Sequence, residues 1–355
     1  MRGLTKIEGG IYEAMEGYEA IRSFIKSYNP STTFVLVDNH TKKVCLPYFL
    51  DKLSIEKKIV VLEMPNGENH KNIKTCLQLW QELSNKGADR KSLLLNLGGG
   101  VVTDLGGFIA CTFKRGIQFI NIPTTLLAMV DASVGGKNGV DLGSLKNQIG
   151  VIKQPNFVII DTEYLKTLSE TETRSGFAEI IKHGLITSKS YWNKAINYFI
   201  VTEEEQKNII WESIKIKNKV VTKDPLEKGV RKTLNYGHTL GHAIESYYLT
   251  HREKRLLHGE AIAVGMILAN FISSELLQFP KTILEETSDK IISIFGKVTF
   301  NDSAISEIIK LLIHDKKNVN GEVRFVLLTN FGEVKTDCKV PNSLIHKAFE
   351  YYKNL

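Results

Sequence analysis

Residues 93–150 limit most what this chain can fold into. Leu93, Leu94, Leu95 and Leu97 form a short apolar run that stops at Gly98-Gly99-Gly100, and Thr103-Asp104 then opens an apolar, helix-like segment. A run so short and so apolar reads as a strand buried on both faces, as in parallel sheets covered by helices. Glycines at its end let a ligand approach the backbone, and the helix start offers unpaired amides, an arrangement suited to a pyrophosphate. Glycine runs also serve turns and close packing, so the surrounding residues must decide.

The flanking sequence repeats the alternation. Residues 33–37 (TFVLV) make a strand ending at Asp38, and 58–63 (KIVVLE) a second, closed by the turn signal Pro65-Asn66-Gly67. Residues 68–86 place Ile73, Leu77, Trp80 and Leu83 at helical spacing, which predicts one buried face. Residues 93–97 and 117–122 are a third and a fourth strand. Ligands of such sheets bind beyond the carboxyl ends of the strands, where Asp38, Gly98 and Pro123-Thr124-Thr125 fall.

After about residue 160 the character changes. Residues 170–294 read as helical almost throughout, 238–248 being a glycine-containing helix, and 323–328 (VRFVLL) with Asn330-Phe331-Gly332 and Val334 predict one small hairpin. The expected organisation is an α/β domain with a parallel sheet over 1–160 and a mainly α-helical domain over 161–355, with the cleft between them as the default site.

Composition narrows the partners. The chain has 355 residues, 43% apolar and 24% charged, the balance of an ordered globular protein. Its formal charge of +7 comes from lysines scattered through the chain, with no basic arm, which favours small anionic substrates over nucleic acid. Cys45, Cys76, Cys111 and Cys338 form no Cys-x-x-Cys pair and read mostly as reduced core residues. The first ten residues hold no signal-peptide core, and the apolar run 261–272, broken by Gly265 and Asn270, is shorter than the about 20 residues of a membrane span. A cytoplasmic protein without membrane partners is expected.

Several side chains could carry chemistry. His238 and His242 are four apart on one predicted helix, His258 precedes Gly259-Glu260, and Glu179 lies one turn before Lys182. A carboxylate with two or three imidazoles suits Zn²⁺ or a similar divalent ion, although hydrogen-bonded interior histidines would show the same spacing. The glutamate of a His-Glu-x-x-His protease motif is absent, since Thr239 follows His238. Gly135-Gly136-Lys137 resembles the end of a P-loop, but Asp131 and Asn138 stand where a glycine and a hydroxyl residue are required. Lys137, Lys146, Asn147, Arg115 and Arg231 remain candidates for phosphate or carboxylate. No Gly-x-Ser-x-Gly elbow or catalytic cysteine context is present.

The motifs GGGVVTDLGGF, FKRG, PTTLLAMVDASVGGK, LKNQIG, GFAEIIKHG, LNYGHTLGHAIE and LLHGEAIAVGM occur in that order. Together they closely resemble the 3-dehydroquinate synthase family of sugar-phosphate cyclases, over a span from about Asp38 to Asp315-Lys316-Lys317. The resemblance implies a homodimer with an N-terminal NAD-binding α/β domain and a C-terminal helical metal domain. It implies that Gly99, Gly100, Val101 and Asp104 hold the pyrophosphate and nicotinamide side of NAD, and that Asp38, Glu68 and Lys71 hold the adenosine side. Thr124, Thr125 and Thr167 would line the cofactor, with Lys137 and Lys146 near both cofactor and substrate. Glu179, His238 and His258 would be the ligands of Zn²⁺ or Co²⁺, leaving His242 to face the substrate phosphate. Asp131, Lys137, Lys146, Asn147, Lys182, Lys217, Arg231, Asn235 and one of Lys316 and Lys317 match substrate-contacting positions, and Arg115 one that reaches the neighbouring subunit's site.

The implied reaction converts 3-deoxy-D-arabino-heptulosonate 7-phosphate to 3-dehydroquinate and phosphate, a step of the shikimate pathway to aromatic amino acids. It runs through transient oxidation, phosphate elimination, re-reduction, ring opening and intramolecular aldol closure, so NAD is not consumed. Asn138 after Gly-Gly-Lys, Leu145 before Lys146 and Pro225 depart from the common pattern and bear on substrate geometry. The rivals are a cyclase acting on another sugar phosphate and a metal-dependent NAD polyol dehydrogenase; the Lys146-Asn147 pair points to dehydroquinate formation.

Overall fold

The computed structural model describes residues 10–143, 145–250, 256–312 and 323–355; Lys316 and Lys317 lie outside the described residues. The chain divides into two compact units, Met1–Ser169 and Glu170–Leu355. Residues 161–169 thus fall in the first unit, whereas the sequence pattern puts the change at 160. Their anchor is Asp161, whose carboxylate accepts hydrogen bonds from Tyr18 and Tyr48, both at 3.0 Å.

The first unit runs β1 (Gly10–Glu13), α1 (Ala14–Tyr28), β2 (Thr33–Asp38), α2 (Thr41–Val44), α3 (Leu46–Leu53), β3 (Ile59–Met64) and α4 (Ile73–Asn85). It continues with β4 (Leu93–Gly98), α5 (Gly100–Thr112), β5 (Gln118–Pro123), β6 (Lys137–Leu142), β7 (Leu145–Ile152) and β8 (Phe157–Ile160). Six strands form one sheet in the order β1-β8-β5-β4-β2-β3, every pairing parallel. The predicted parallel sheet with helices packed on it is present. Strand β4 is buried at every position, as its unbroken apolar run requires.

Two local expectations change. Helix α4 begins at Ile73, capped by Asn72, and Ile73 and Leu77 are exposed; the face it buries carries Cys76, Leu79 and Leu83, with Trp80 at its margin. The helical period was right, but which side of the helix meets β3 and α5 is set by packing. Strands β6 and β7 pair antiparallel as a hairpin that no alternation of apolar residues announces, because glycine, asparagine and lysine break the pattern.

The second unit comprises α6 (Glu170–Thr187), α7 (Lys189–Ala195), α8 (Glu203–Lys223), α9 (His238–Thr250), α10 (His258–Leu277), α11 (Lys281–Phe295) and α12 (Asp302–Leu311). The antiparallel pair β9 (Arg324–Asn330) and β10 (Glu333–Lys339) follows, then α13 (Asn342–Asn354). The predicted hairpin is thus present. Thr202 and Glu205 close a reciprocal capping box on α8.

Helix α10 is the hub of this unit, packed by α6, α9, α11, α13 and β9. It extends beyond both ends of the 261–272 apolar run, so by length and composition it would suffice to cross a membrane, contrary to the sequence expectation. Two-thirds of that window is buried within the unit, which accounts for its apolarity. Glycines set how close its neighbours come. A Cβ on Gly265 would lie 2.1 Å from the Gly237 carbonyl oxygen, and one on Gly259 would lie 1.9 Å from that of Ser175. Backbone meets backbone at both points, so α9 and α6 are drawn onto α10 beside His238, His258 and Glu179.

Gly265→Ala should therefore destabilise the second unit by at least ~2 kcal/mol, since backbone cannot yield as a side-chain tip can. Urea unfolding followed by tryptophan fluorescence will measure it, and an unchanged midpoint would refute the contact.

Candidate functional site

In the first unit the carboxyl ends of β2, β4 and β5 stand side by side in the sheet and carry Asp38, Gly98 and Pro123. Gly99 caps α5 in extended conformation, so the helix starts at Gly100 and Val101, three residues earlier than Thr103-Asp104 suggests. Its first-turn amides open at the strand ends, a ready anion site. A Cβ on Gly99 would stand 2.9 Å from Thr125 Cγ2, and the Thr124 amide donates to the Gly98 carbonyl at 3.0 Å. The expected cofactor residues Gly99, Gly100, Val101, Thr124 and Thr125 are thus gathered at one edge. Asp38 accepts the amides of His40 and Thr41 at 2.9 and 2.7 Å, and Thr167 Oγ1 lies 3.7 Å from Cys45 Sγ.

Lys71 takes a place that the sequence reading does not give it. Its side chain is buried, with Nζ 2.7 Å from Asp104 Oδ2 and 2.7 Å from Asn147 Oδ1, while Glu68 pairs with Lys146 at 3.0 Å. The residues expected around adenosine therefore contact those expected around the substrate. Burial would lower the Lys71 ammonium, but Asp104, Glu68 and Asp141 outweigh it and hold it charged. Burial also raises the Asp104 carboxyl, against the pull of Lys71.

Asp131 sits in one π-helical turn, Ala128–Ala132, a form that often marks functional sites. Lys137 begins β6, exposed, and Asn138 behind it is buried. The Asn138 side-chain amide donates to the carbonyls of Gly136 and Lys153 at 3.0 and 2.8 Å, and a Cβ on Gly107 would strike it at 1.9 Å. The departure at position 138 is therefore a neck-closing residue of the hairpin. Lys114, Arg115 and Gly116 all have positive φ, so Arg115 projects from a tight turn, and it is exposed.

The second unit holds the metal-type donors. Glu179, on α6, is fully buried against the Lys182 ammonium. Among the described residues neither of its oxygens accepts a hydrogen bond of good geometry, and Oε1 lies 3.4 Å from His238 Nε2 and 3.8 Å from His258 Nε2. Donor atoms around a tetrahedral ion with bonds near 2.1 Å lie about 3.4 Å apart, so these three fit a divalent cation. Burial alone would raise the Glu179 carboxyl, but Lys182 and His258 hold it below the usual range and keep it anionic.

Both imidazoles are oriented for the task. His238 Nδ1 donates to the Tyr236 carbonyl at 2.9 Å, and His258 Nδ1 donates to the buried Glu245 carboxylate at 3.0 Å. Each ring thereby turns its Nε2 toward Glu179, the arrangement of histidine ligands held by an outer carbonyl or carboxylate. The sequence reading missed Glu245, although His238, His242 and Glu245 at i, i+4 and i+7 share one helical face. His242 joins the group, its ring 5.1 Å from His238 and 5.8 Å from His258, so by position alone it could also donate to a metal.

Lys182, Lys217 and Arg231 are all buried, on three mutually packed segments: α6, α8 and the turn Val230–Asn235. Arg231 Nη1 donates to the Pro225 carbonyl at 2.6 Å, which gives the departure at 225 a local role. Asn235 donates to Glu227 at 2.6 Å, a carboxylate no motif singled out. All four cysteines are free; Cys45 and Cys76 are buried, while Cys111 and Cys338 are only half-buried.

Residues 61–175 match the family described as 3-dehydroquinate synthase N-terminal, and 176–318 match 3-dehydroquinate synthase C-terminal. A 3-dehydroquinate synthase of Parabacteroides distasonis is 38% identical over 335 residues, 94% of each chain. One of a Picosynechococcus species is 43% identical over 290 residues, 79% of this chain and 78% of that one. Among solved structures, a 2-deoxy-scyllo-inosose synthase complexed with carbaglucose-6-phosphate, NAD⁺ and Co²⁺ superposes with TM-score 0.83 at 26% identity, covering 97% of this chain and 96% of that one. A glycerol dehydrogenase from Schizosaccharomyces pombe, at TM-score 0.65 and 13% identity over 97% and 88% of the two chains, shares the fold alone.

Two substitutions test the donor set by elemental analysis and chelator competition. Glu245→Ala should weaken metal affinity about 10–100-fold by releasing His258. Glu179→Gln should abolish binding and cost about 3 kcal/mol of stability by leaving Lys182 buried without its counter-charge. Full metal occupancy in Glu179→Gln would reject the site.

Proposed function

The chain belongs to the 3-dehydroquinate synthase family, and from that premise we propose how its residues divide the reaction. It converts 3-deoxy-D-arabino-heptulosonate 7-phosphate to 3-dehydroquinate and phosphate with NAD and a divalent metal. The observation that carries the assignment of roles is the oriented donor set Glu179, His238 and His258 in a chain that also has a glycine-capped helix at the carboxyl ends of a parallel sheet. Glu179, His238 and His258 would hold a divalent metal able to polarise the substrate's carbinol oxygen, and a bound NAD⁺ would supply a reversible hydride acceptor for the carbinol carbon, the resulting ketone making the neighbouring C–H acidic.

The protein's own side chains hold one flexible anion through several steps, a positioning task. In the first unit Gly99, Gly100, Val101, Asp104, Thr124, Thr125 and Thr167 serve the cofactor, with Asp38 and Glu68 toward adenosine. Lys71 bridges to the substrate side; its ammonium, already engaged by Asp104 and Asn147, supports that placement. Lys137, Lys146, Asn147 and Asp131 orient the substrate. In the second unit Lys182, Lys217, Arg231 and Asn235 bind carboxylate and hydroxyl groups; their burial or half-burial supports this, since buried cations strongly favour an anionic ligand. His242 serves the phosphate, and the departing phosphate oxygen takes the proton. Lys316 or Lys317 would complete the set.

Arg115 serves the partner's site in a homodimer, which its exposure on a strained turn supports. We place the dimer in the cytoplasm with a sugar phosphate as its partner, rather than nucleic acid or a membrane. The burial of Lys182, Lys217 and Arg231 supports a small anion over a polyanion at those residues, because a polyanion surface is met by exposed cations.

Inorganic phosphate release from this substrate should require NAD⁺, stop with chelator, and proceed with no net absorbance change from NADH. Stoichiometric NADH without phosphate would instead indicate a polyol dehydrogenase. Release from sedoheptulose 7-phosphate or glucose 6-phosphate alone would indicate another cyclase. Mixing Arg115→Ala with Lys137→Ala should restore part of the activity through hybrid dimers; no recovery after subunit exchange would refute the shared site.

A further inference from the structure

We propose that Asp141 is a positioning residue for the Lys146-Asn147 pair, holding Asn147 through a clamp whose other jaw is Lys71. The inference rests on the role given above to that pair. Asn147 has φ +52°, a left-handed conformation that asparagine tolerates better than most residues but that its surroundings must still hold. Asp141 supplies the hold: its Oδ1 accepts the Asn147 amide at 2.7 Å.

Asp141 is able to do so because it sits in a break of the hairpin. The β6–β7 register shifts between Val140 and Leu142, and Asp141 pairs outside the hairpin, bridging to Asn72 and donating its amide to the Lys71 carbonyl at 2.8 Å. Bulges of this kind re-aim side chains beside functional sites. Lys71 closes the ring, its Nζ reaching Asn147 Oδ1 and Asp104 Oδ2, both at 2.7 Å. Backbone and side chain of Asn147 are thus gripped from two directions, and its amide oxygen is engaged, so a ligand meets the donor end. Lys146 is held alongside by Glu68 at 3.0 Å.

The clamp contributes little to the core. Asn147, Leu142 and Leu145 are exposed, so loss of the Asp141 carboxylate should displace the pair without unfolding the unit. Such misplacement falls on substrate recognition and spares the glycine-capped helix start.

The test uses the full chain with Asp141→Ala and Asp141→Asn, the latter keeping an oxygen acceptor for the Asn147 amide. Hydrogen–deuterium exchange of peptides spanning 141–150, without ligands, should speed up in Asp141→Ala and stay near wild type in Asp141→Asn. In phosphate release, Asp141→Ala should raise KM for the sugar phosphate about tenfold or more, with NAD⁺ affinity and melting temperature retained, and Asp141→Asn should recover most of the loss. Wild-type exchange and KM in Asp141→Ala would overturn the clamp, as would equal losses in both variants or a parallel loss of NAD⁺ affinity. If the wild-type chain releases no phosphate, the enzymatic reading falls, while the exchange experiment still decides whether Asp141 holds Asn147.

Discussion

Each unit of this protein takes an ion pair out of water, Lys71 with Asp104 in the first and Lys182 with Glu179 in the second. Desolvating two charges offsets most of their attraction, and a pair of apolar residues of the same volume would serve stability at least as well. What the pairs provide is a fixed charge in a dry setting, from which further groups are organised. Asp104 and Lys71 engage the start of α5 and the tip of the β6–β7 hairpin; Glu179 and Lys182 face two imidazoles whose outer nitrogens are already committed. Remove Glu179 and the buried Lys182 is left without its counter-charge; remove Asp104 and Lys71 loses the carboxylate that it hydrogen-bonds.

The scaffold answers this demand through close approach. Helix α10 can carry His258 to Glu179 only because Gly259 lets α6 come within contact of its backbone, and Gly265 does the same for the turn that introduces His238. The glycines of the second unit are thus as much part of the donor set as the donors, although none of them bears a ligand atom. In the first unit Gly107 admits the Asn138 side chain that ties the neck of the hairpin presenting Lys137.

Much of this was legible in the chain. Continuous apolar runs predict the central strands, because strands buried on both faces need no alternation, and the order of motifs carries the resemblance to the family and with it the expected ligands. The legibility failed where polarity and structure part company. The hairpin at 137–152 is built from glycine, lysine and asparagine, so it has no strand-like pattern, and α4 turns a different face inward than its apolar spacing suggests. Glu245 was within reach, three residues past His242 on one helical face, but spacing could not say which histidine it would serve.

By itself, then, the sequence determined the period of each element, the places where backbone must bend or approach, and the residue types able to hold a dinucleotide, a metal ion and an anion. Those depend on local chemistry, which neighbours along the chain settle. Tertiary structure alone decided that Lys71 bridges Asp104 and Asn147, that Glu245 orients His258, and that Asp141 grips the Asn147 amide. Hydrogen bonds within 3 Å between residues from separate elements depend on how those elements pack, and a one-dimensional pattern of apolar and polar positions carries no such distance.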